Sequence, residues 1–238
     1  MDRQPFGVLF GTLVATGVGV GSVGLVRVPP ALDRYVLAVT IVLVGLGGVY
    51  YRAVRSVRKA HPSEPITLAS WITIGRGAMI PALGGFILVP AAAIGWLPGI
   101  LFALAAGLDA LDGVVARRTG TVTELGGALD GATDGLVVLV GAAVAVAIDT
   151  APPAFLLAGM ALYLFNAGRW YRRRRGLTVS ELPPSQRRRA VGAGTMLVIF
   201  LALSPIVSDP TGRTIAWIAL APLSGSFLWD WLAVVGRR

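Results

Sequence analysis

The 238-residue chain has no cysteine and a single histidine, and only 14% of its residues are charged. Without thiols there is no disulfide framework, no thiolate metal site and no cysteine nucleophile. With His61 as the one imidazole, any metal site must be built from oxygen, which favours hard ions such as Mg2+ or Mn2+ over zinc or copper. The scarcity of charge is matched by an excess of apolar residues: 55% are hydrophobic and the mean hydropathy is +0.75. A water-soluble core of 24.7 kDa cannot hide that much apolar surface, so the composition is that of an integral membrane protein. The 31 glycines suit helices packed backbone to backbone in lipid.

A membrane-crossing helix needs about 20 apolar residues, and eight stretches approach that length: 6–26, 35–51, 71–90, 99–117, 125–148, 153–167, 190–207 and 214–235. The sequence therefore predicts an all-α, polytopic helical bundle. The first stretch is too long for a signal-peptide core, lacks a strongly basic start and has no small-x-small site after it, so it reads as a retained helix. Basic residues collect in one set of loops: Arg52 to Lys59, Arg117 and Arg118, Arg169 to Arg175, Arg187 to Arg189, and Arg237 with Arg238. The alternate connections are uncharged, acidic or balanced. The positive-inside rule then places both termini and the basic loops in the cytoplasm of a cell-membrane protein. The net charge of +9 follows the topology, and no soluble module remains to hold a basic groove, so no nucleic-acid partner is expected.

Four aspartates break the apolar pattern. The string D-x-x-D-G-x-x-A-R runs from Asp109 to Arg117, and G-x-x-x-D-x-x-x-D runs from Gly126 to Asp134. A carboxylate at the centre of a membrane helix costs about 2.5–3.5 kcal/mol on the insertion scale, so four of them need compensation. On helices, Asp109, Asp112, Gly113, Ala116 and Arg117 share one side of the fourth span, and Gly126, Asp130 and Asp134 share one side of the fifth. The short connection makes the two helices antiparallel neighbours, with their carboxylates at one depth near the cytoplasmic surface. Carboxylates so gathered repel one another unless cations are present. Two divalent ions, about 3.5–4 Å apart, would polarise a phosphate while activating an attacking oxygen. Gly113, Ala116 and Gly126 leave room beside them, and Arg117 offers a fork for phosphate oxygens.

The two strings together resemble the signature of the CDP-alcohol phosphatidyltransferase family, and all eight specified positions match: Asp109, Asp112, Gly113, Ala116, Arg117, Gly126, Asp130 and Asp134. The resemblance spans roughly 65–238 and implies a six-helix core, preceded over 1–64 by two additional transmembrane helices and a basic loop. It implies an enzyme of phospholipid synthesis that moves a phosphatidyl-type group from a CDP-linked lipid to the hydroxyl of an acceptor alcohol, releasing CMP. By position, Asp109, Asp112, Asp130 and Asp134 would hold Mg2+ or Mn2+, two ions in all, with Asp134 also the catalytic base. Asp112, Gly113, Ala116, Arg117 and Gly126 would line the CDP-lipid pocket. A homodimer embedded in membrane lipids is the implied assembly.

A second echo of the family is Ser70-x-x-Thr73-x-x-Arg76, where Ser70 stands in place of an asparagine and offers a hydroxyl as a helix cap. Arg76 is either a snorkelling side chain or an acceptor contact. Arg172 and Arg173, in an arginine run, are further acceptor candidates, although anchoring to anionic lipid is their plainer use. They tilt the acceptor towards a phosphorylated polyol such as glycerol or inositol phosphate. An amino alcohol such as serine is the alternative, and a divalent-cation transporter is the alternative from another class. Gly127, Gly131 and Gly135 form a small-residue ridge expected to pack a neighbouring helix. Trp71, Trp96, Trp170, Trp229 and Trp231 fall near span ends as interfacial anchors, and Asp230 is expected to reach water or an arginine.

Overall fold

The computed structural model describes residues 11, 31–91, 95–119 and 123–236. The expected span 6–26, with its glycines 17, 19, 21 and 24, lies outside them but for residue 11. Among the described residues there are seven α-helices and no strand: α1 Leu32–Ala60, α2 Leu68–Gly84, α3 Leu97–Thr119, α4 Glu124–Ala147, α5 Leu156–Arg174, α6 Gln186–Leu203 and α7 Asp209–Val234. Short 3-10 turns follow α2 at Gly85–Leu88 and precede α5 at Pro153–Phe155. Five helices are long and apolar enough to cross a membrane: α1, α2 with its 3-10 extension, α3, α4 and α7.

The expected spans 153–167 and 190–207 are helical but are not among those five. Their arginines are the reason. Arg169 and Arg172 to Arg174 close α5, and Arg187 to Arg189 open α6. What remains apolar in each is about 13–14 residues, roughly 20 Å of helix, against a hydrocarbon core of about 30 Å.

α2 is the hub of the bundle. It packs against α3, α4 and α1, and two-thirds of its span is buried. Its N-terminus is capped by Thr67, whose Oγ1 accepts the Ser70 N–H at 3.3 Å and lies 3.1 Å from Ser70 Oγ. The cap expected at Ser70 is thus supplied three residues earlier, and Ser70 is inside the first turn. Pro81 removes one N–H from the ladder near the far end, and the helix tightens into the 3-10 turn soon after.

Helix α1 is built into the same core. Lipid is as apolar as a leucine side chain, so helices associate in it through close packing and hydrogen bonds, and glycine is what permits close approach. Gly77 and Gly84 of α2, and Gly85 of the 3-10 turn after it, meet Tyr50, Val42 and Tyr35 of α1, each so closely that a Cβ would overlap the facing side chain. Tyr35 Oη donates to the Ala82 carbonyl at 2.8 Å, and its ring meets Phe86 edge to face at 5.2 Å. The opposite face of α1, with Leu37, Ile41 and Val44, is exposed as a lipid-facing surface would be. The remaining helices close the bundle: Gly141 of α4 touches Ile199 and Phe102, Gly159 of α5 touches Leu139, and Trp231 of α7 meets Phe165 and Gly168 of α5.

Candidate active site

Asp109 comes from α3, and Asp130 and Asp134, one turn apart, come from one face of α4. A carboxylate oxygen from each lies within 4.8 Å of those from the other two. The sequence pattern makes α3 and α4 immediate neighbours, yet both pack far more extensively against α2 than against each other. The aspartates meet across α2, and what α2 places there is Arg76.

Arg76 is 1% exposed, and its guanidinium reaches all three carboxylates. Nη1 donates to Asp109 Oδ1, while Nη2 donates to Asp130 Oδ1 at 2.9 Å and to Asp134 Oδ1 at 2.8 Å. The three carboxylates are each about 40% exposed, so the cluster is an open acidic surface backed by one buried cation. The snorkelling alternative for Arg76 is overturned, because a snorkelling head would be in water. The sequence held a usable signal: Arg76 is the one charged residue of α2, and an ionisable group within a membrane helix calls for a partner of opposite sign.

The α4 N-terminus is fixed from two directions. Thr123 is the N-cap, its Oγ1 accepting the Gly126 N–H at 3.0 Å. Glu64, in the loop after α1, accepts the Glu124 and Leu125 N–H groups at 2.7 and 3.1 Å. Three of the four orphan donors are thereby satisfied, and a carboxylate lies where the helix dipole favours it. Arg58, at the end of α1, donates to the carbonyls of Pro62 and Glu64 at 2.7 and 3.1 Å and so holds that loop. Nothing in the periodicity of the sequence pointed to Glu64.

The cluster fits a hard divalent cation. All its donors are carboxylate oxygens, none is sulfur or imidazole, and a positive charge is already drawn among them. Asp112, Ala116 and Arg117 belong to α3, but their side chains lie outside the described ones. Gly113 is on the same helix, and Gly126 is on the first turn of α4 beside Thr123 and Ser70. The glycine ridge acts as expected only at Gly135, which meets Leu162 and Tyr163; Gly127 and Gly131 face open space.

Asp134 also borders a cavity of about 320 Å³ between α4, α5, α6 and α7. Its walls are largely apolar, with Thr195, Ser226, Arg188 and Asp230 as the other polar members. Asp230 accepts from Arg187 at 2.5 Å and from Arg188 at 3.4 Å, in line with the expectation that it would find an arginine. Of these two guanidiniums, Arg188 lines the cavity. Arg172 and Arg173 are elsewhere, on the last turn of α5, where Arg172 donates to the Thr178 carbonyl at 3.2 and 3.0 Å and Arg173 is exposed.

The sequence matches one family model, described as CDP-alcohol phosphatidyltransferase, over residues 66–226. That stretch takes in α2 to α6, most of α7, and both halves of the aspartate motif. No curated protein matches the sequence.

Proposed function

This chain belongs to the CDP-alcohol phosphatidyltransferase family, and from that premise we propose that it transfers a phosphatidyl-type group from a CDP-linked lipid to a phosphorylated polyol, with Asp134 as the base. The acceptor hydroxyl loses its proton to Asp134 while its oxygen bonds to the lipid-side phosphorus. The bond from that phosphorus to the bridging oxygen breaks, and CMP leaves with the electron pair.

Asp109, Asp112, Asp130 and Asp134 are the proposed ligands of two Mg2+ or Mn2+ ions. Bound there, the metals supply charge neutralisation and polarisation at the pyrophosphate. Arg76, buried behind the carboxylates, balances part of their charge and holds them together. Gly113, Ala116, Arg117 and Gly126 line the proposed CDP pocket, the small residues leaving space for the nucleotide. The acceptor phosphate is assigned to the Arg188 guanidinium in the cavity wall, with Arg172 and Arg173 steering anions from the surface. The site faces the cytoplasm in this reading, as do both termini, and the enzyme works as a homodimer.

The observation that carries the reading is the convergence of Asp109, Asp130 and Asp134 oxygens within 4.8 Å in a membrane protein whose motif and family are those of CDP-dependent transfer. CMP release from a CDP-linked lipid, by purified protein in lipid with Mg2+ or Mn2+ and a panel of acceptors, tests it. CMP appearing with a phosphorylated polyol, and vanishing in Asp134→Asn, is the expected result. CMP formed only with an amino alcohol would move the acceptor to that class. Metal uptake with no CMP from any acceptor would favour a cation transporter.

A further inference from the structure

A contact from the helix that precedes the family match reaches the back of the aspartate cluster. Tyr50 of α1 is 1% exposed, and its Oη lies 2.7 Å from Thr133 Oγ1. Thr133 is fully buried on α4, immediately before Asp134 and three residues after Asp130. Thr133 Oγ1 also lies 2.7 Å from the Leu129 carbonyl, to which it donates. A hydroxyl has one proton to give. With that proton on Leu129, Tyr50 must be the donor to Thr133. The same Tyr50 hydroxyl is 3.5 Å from the carbonyl of Thr73, one helical turn before Arg76 on α2.

We infer that Tyr50 is a positioning residue for the aspartate cluster: its hydroxyl ties α1, which packs on the helix that carries Arg76, to the helix that carries Asp130 and Asp134. Three features make this joint specific. Thr133 is β-branched and held at both its oxygen's bonds, so its rotamer and the backbone on either side are fixed. Gly77 lies so close to the Tyr50 hydroxyl that a Cβ there would overlap it, which lets α1 seat deeply against α2. The whole arrangement is dry, and a hydrogen bond in a low-dielectric interior holds geometry more firmly than one in water. Metal ligands must be kept within about 0.5 Å of productive geometry, and residues that orient them commonly change affinity or rate by about 10–100-fold when lost. Tyr50 precedes the 66–226 match, so α1 contributes to the site from outside the region the family model covers.

The inference rests on the metal-dependent reading of the cluster. Its test is Mn2+ binding alone, followed by the free-ion EPR signal, in full-length protein reconstituted in lipid, with turnover measured in parallel. Tyr50→Phe keeps the ring and removes the hydroxyl. Tyr35→Phe is the matched control: it removes an equally buried hydroxyl bond made by the same helix α1, to the Ala82 carbonyl of α2, away from the aspartates. Tyr50→Phe should weaken Mn2+ binding about ten-fold and lower kcat with little change in the KM for the CDP-linked lipid. Tyr35→Phe should leave Mn2+ affinity at the wild-type value. Thr133→Val should reproduce Tyr50→Phe without adding to it in the double variant, and Thr133→Ser should restore binding. Wild-type Mn2+ affinity in Tyr50→Phe, or an equal loss in Tyr35→Phe, overturns the positioning role and leaves the transferase reading standing. Wild-type protein that binds no Mn2+ overturns the metal reading and this inference with it.

Discussion

Arg76 Nη2 lies 2.8 Å from Asp134 Oδ1, so the proposed base shares its carboxylate with a buried arginine. The same guanidinium holds Asp109 and Asp130. One buried positive charge among three carboxylates does not cancel them, so the cluster still favours cations. Arg76 therefore relieves the repulsion that would otherwise spread the aspartates, without removing their attraction for metal.

Replacing the arginine separates these effects. Arg76→Gln should destabilise the metal-free protein by about 2 kcal/mol, less than the roughly 3–5 kcal/mol for breaking a fully buried pair because the carboxylates are partly exposed. Added Mg2+ should then stabilise the variant more than it stabilises the wild type, since the ion alone must hold the cluster together. Thermal unfolding in lipid, with EDTA and with Mg2+, reads both. Equal stabilisation of the two proteins by Mg2+ would mean that Arg76 and metal act on different groups.

Metal removal should act through the same three aspartates. Turnover should stop in EDTA and return with Mg2+ or Mn2+, and Asp109→Asn or Asp130→Asn should lower kcat by about 10²–10³-fold, the order lost when a charge-stabilising group is removed. CMP release across a metal titration checks this. Activity that persists in EDTA with all aspartates intact would remove the metal from the mechanism.

The aspartates were legible because they violate the composition around them, and a fixed spacing on helices tells which faces they share. Asp109, Asp130 and Asp134 do converge. What lay beyond the sequence was the order of packing. Spacing showed that α3 and α4 are consecutive, and nothing in it showed that α2 would lie against both and bring Arg76 into the cluster. Membrane helices are apolar on nearly every side, so hydrophobic periodicity, which orients helices in soluble proteins, says little about their neighbours. Glu64 and Thr133 escaped for a related reason. Each acts through hydrogen bonds to residues distant in sequence, and such bonds leave no local pattern.

Glu64 offers a direct stability test. Its carboxylate satisfies two amides at the start of α4 in addition to the one met by Thr123. Glu64→Ala should cost about 1 kcal/mol, the usual worth of a helix N-cap, and Glu64→Gln should cost less because an amide oxygen can still accept. Thermal unfolding and hydrogen exchange at 124–127 would register the change, with exchange rising there before it rises elsewhere in α4. Unaltered exchange at those amides would mean that Thr123 alone secures the helix start.

The acceptor reading turns on which arginines the substrate meets. Arg188 borders the cavity that also contains Asp134, whereas Arg172 is bonded to the Thr178 carbonyl on the last turn of α5. A phosphorylated acceptor with its hydroxyl at Asp134 would place its phosphate among the cavity's polar groups, and Arg188 is the one cation in that wall. Arg188→Gln should therefore raise the KM for a phosphorylated polyol by about ten-fold or more, the loss of one charge-assisted hydrogen bond of about 1.5–3 kcal/mol, with kcat less affected. Arg172→Gln should raise it by a smaller factor that disappears as salt is added, because a surface charge steers without binding and is screened beyond about 10 Å at 0.1 M ionic strength. Initial rates against acceptor concentration, at low and high salt, distinguish the two. A salt-independent effect at Arg172 with none at Arg188 would shift the acceptor phosphate from the cavity wall to the arginine run.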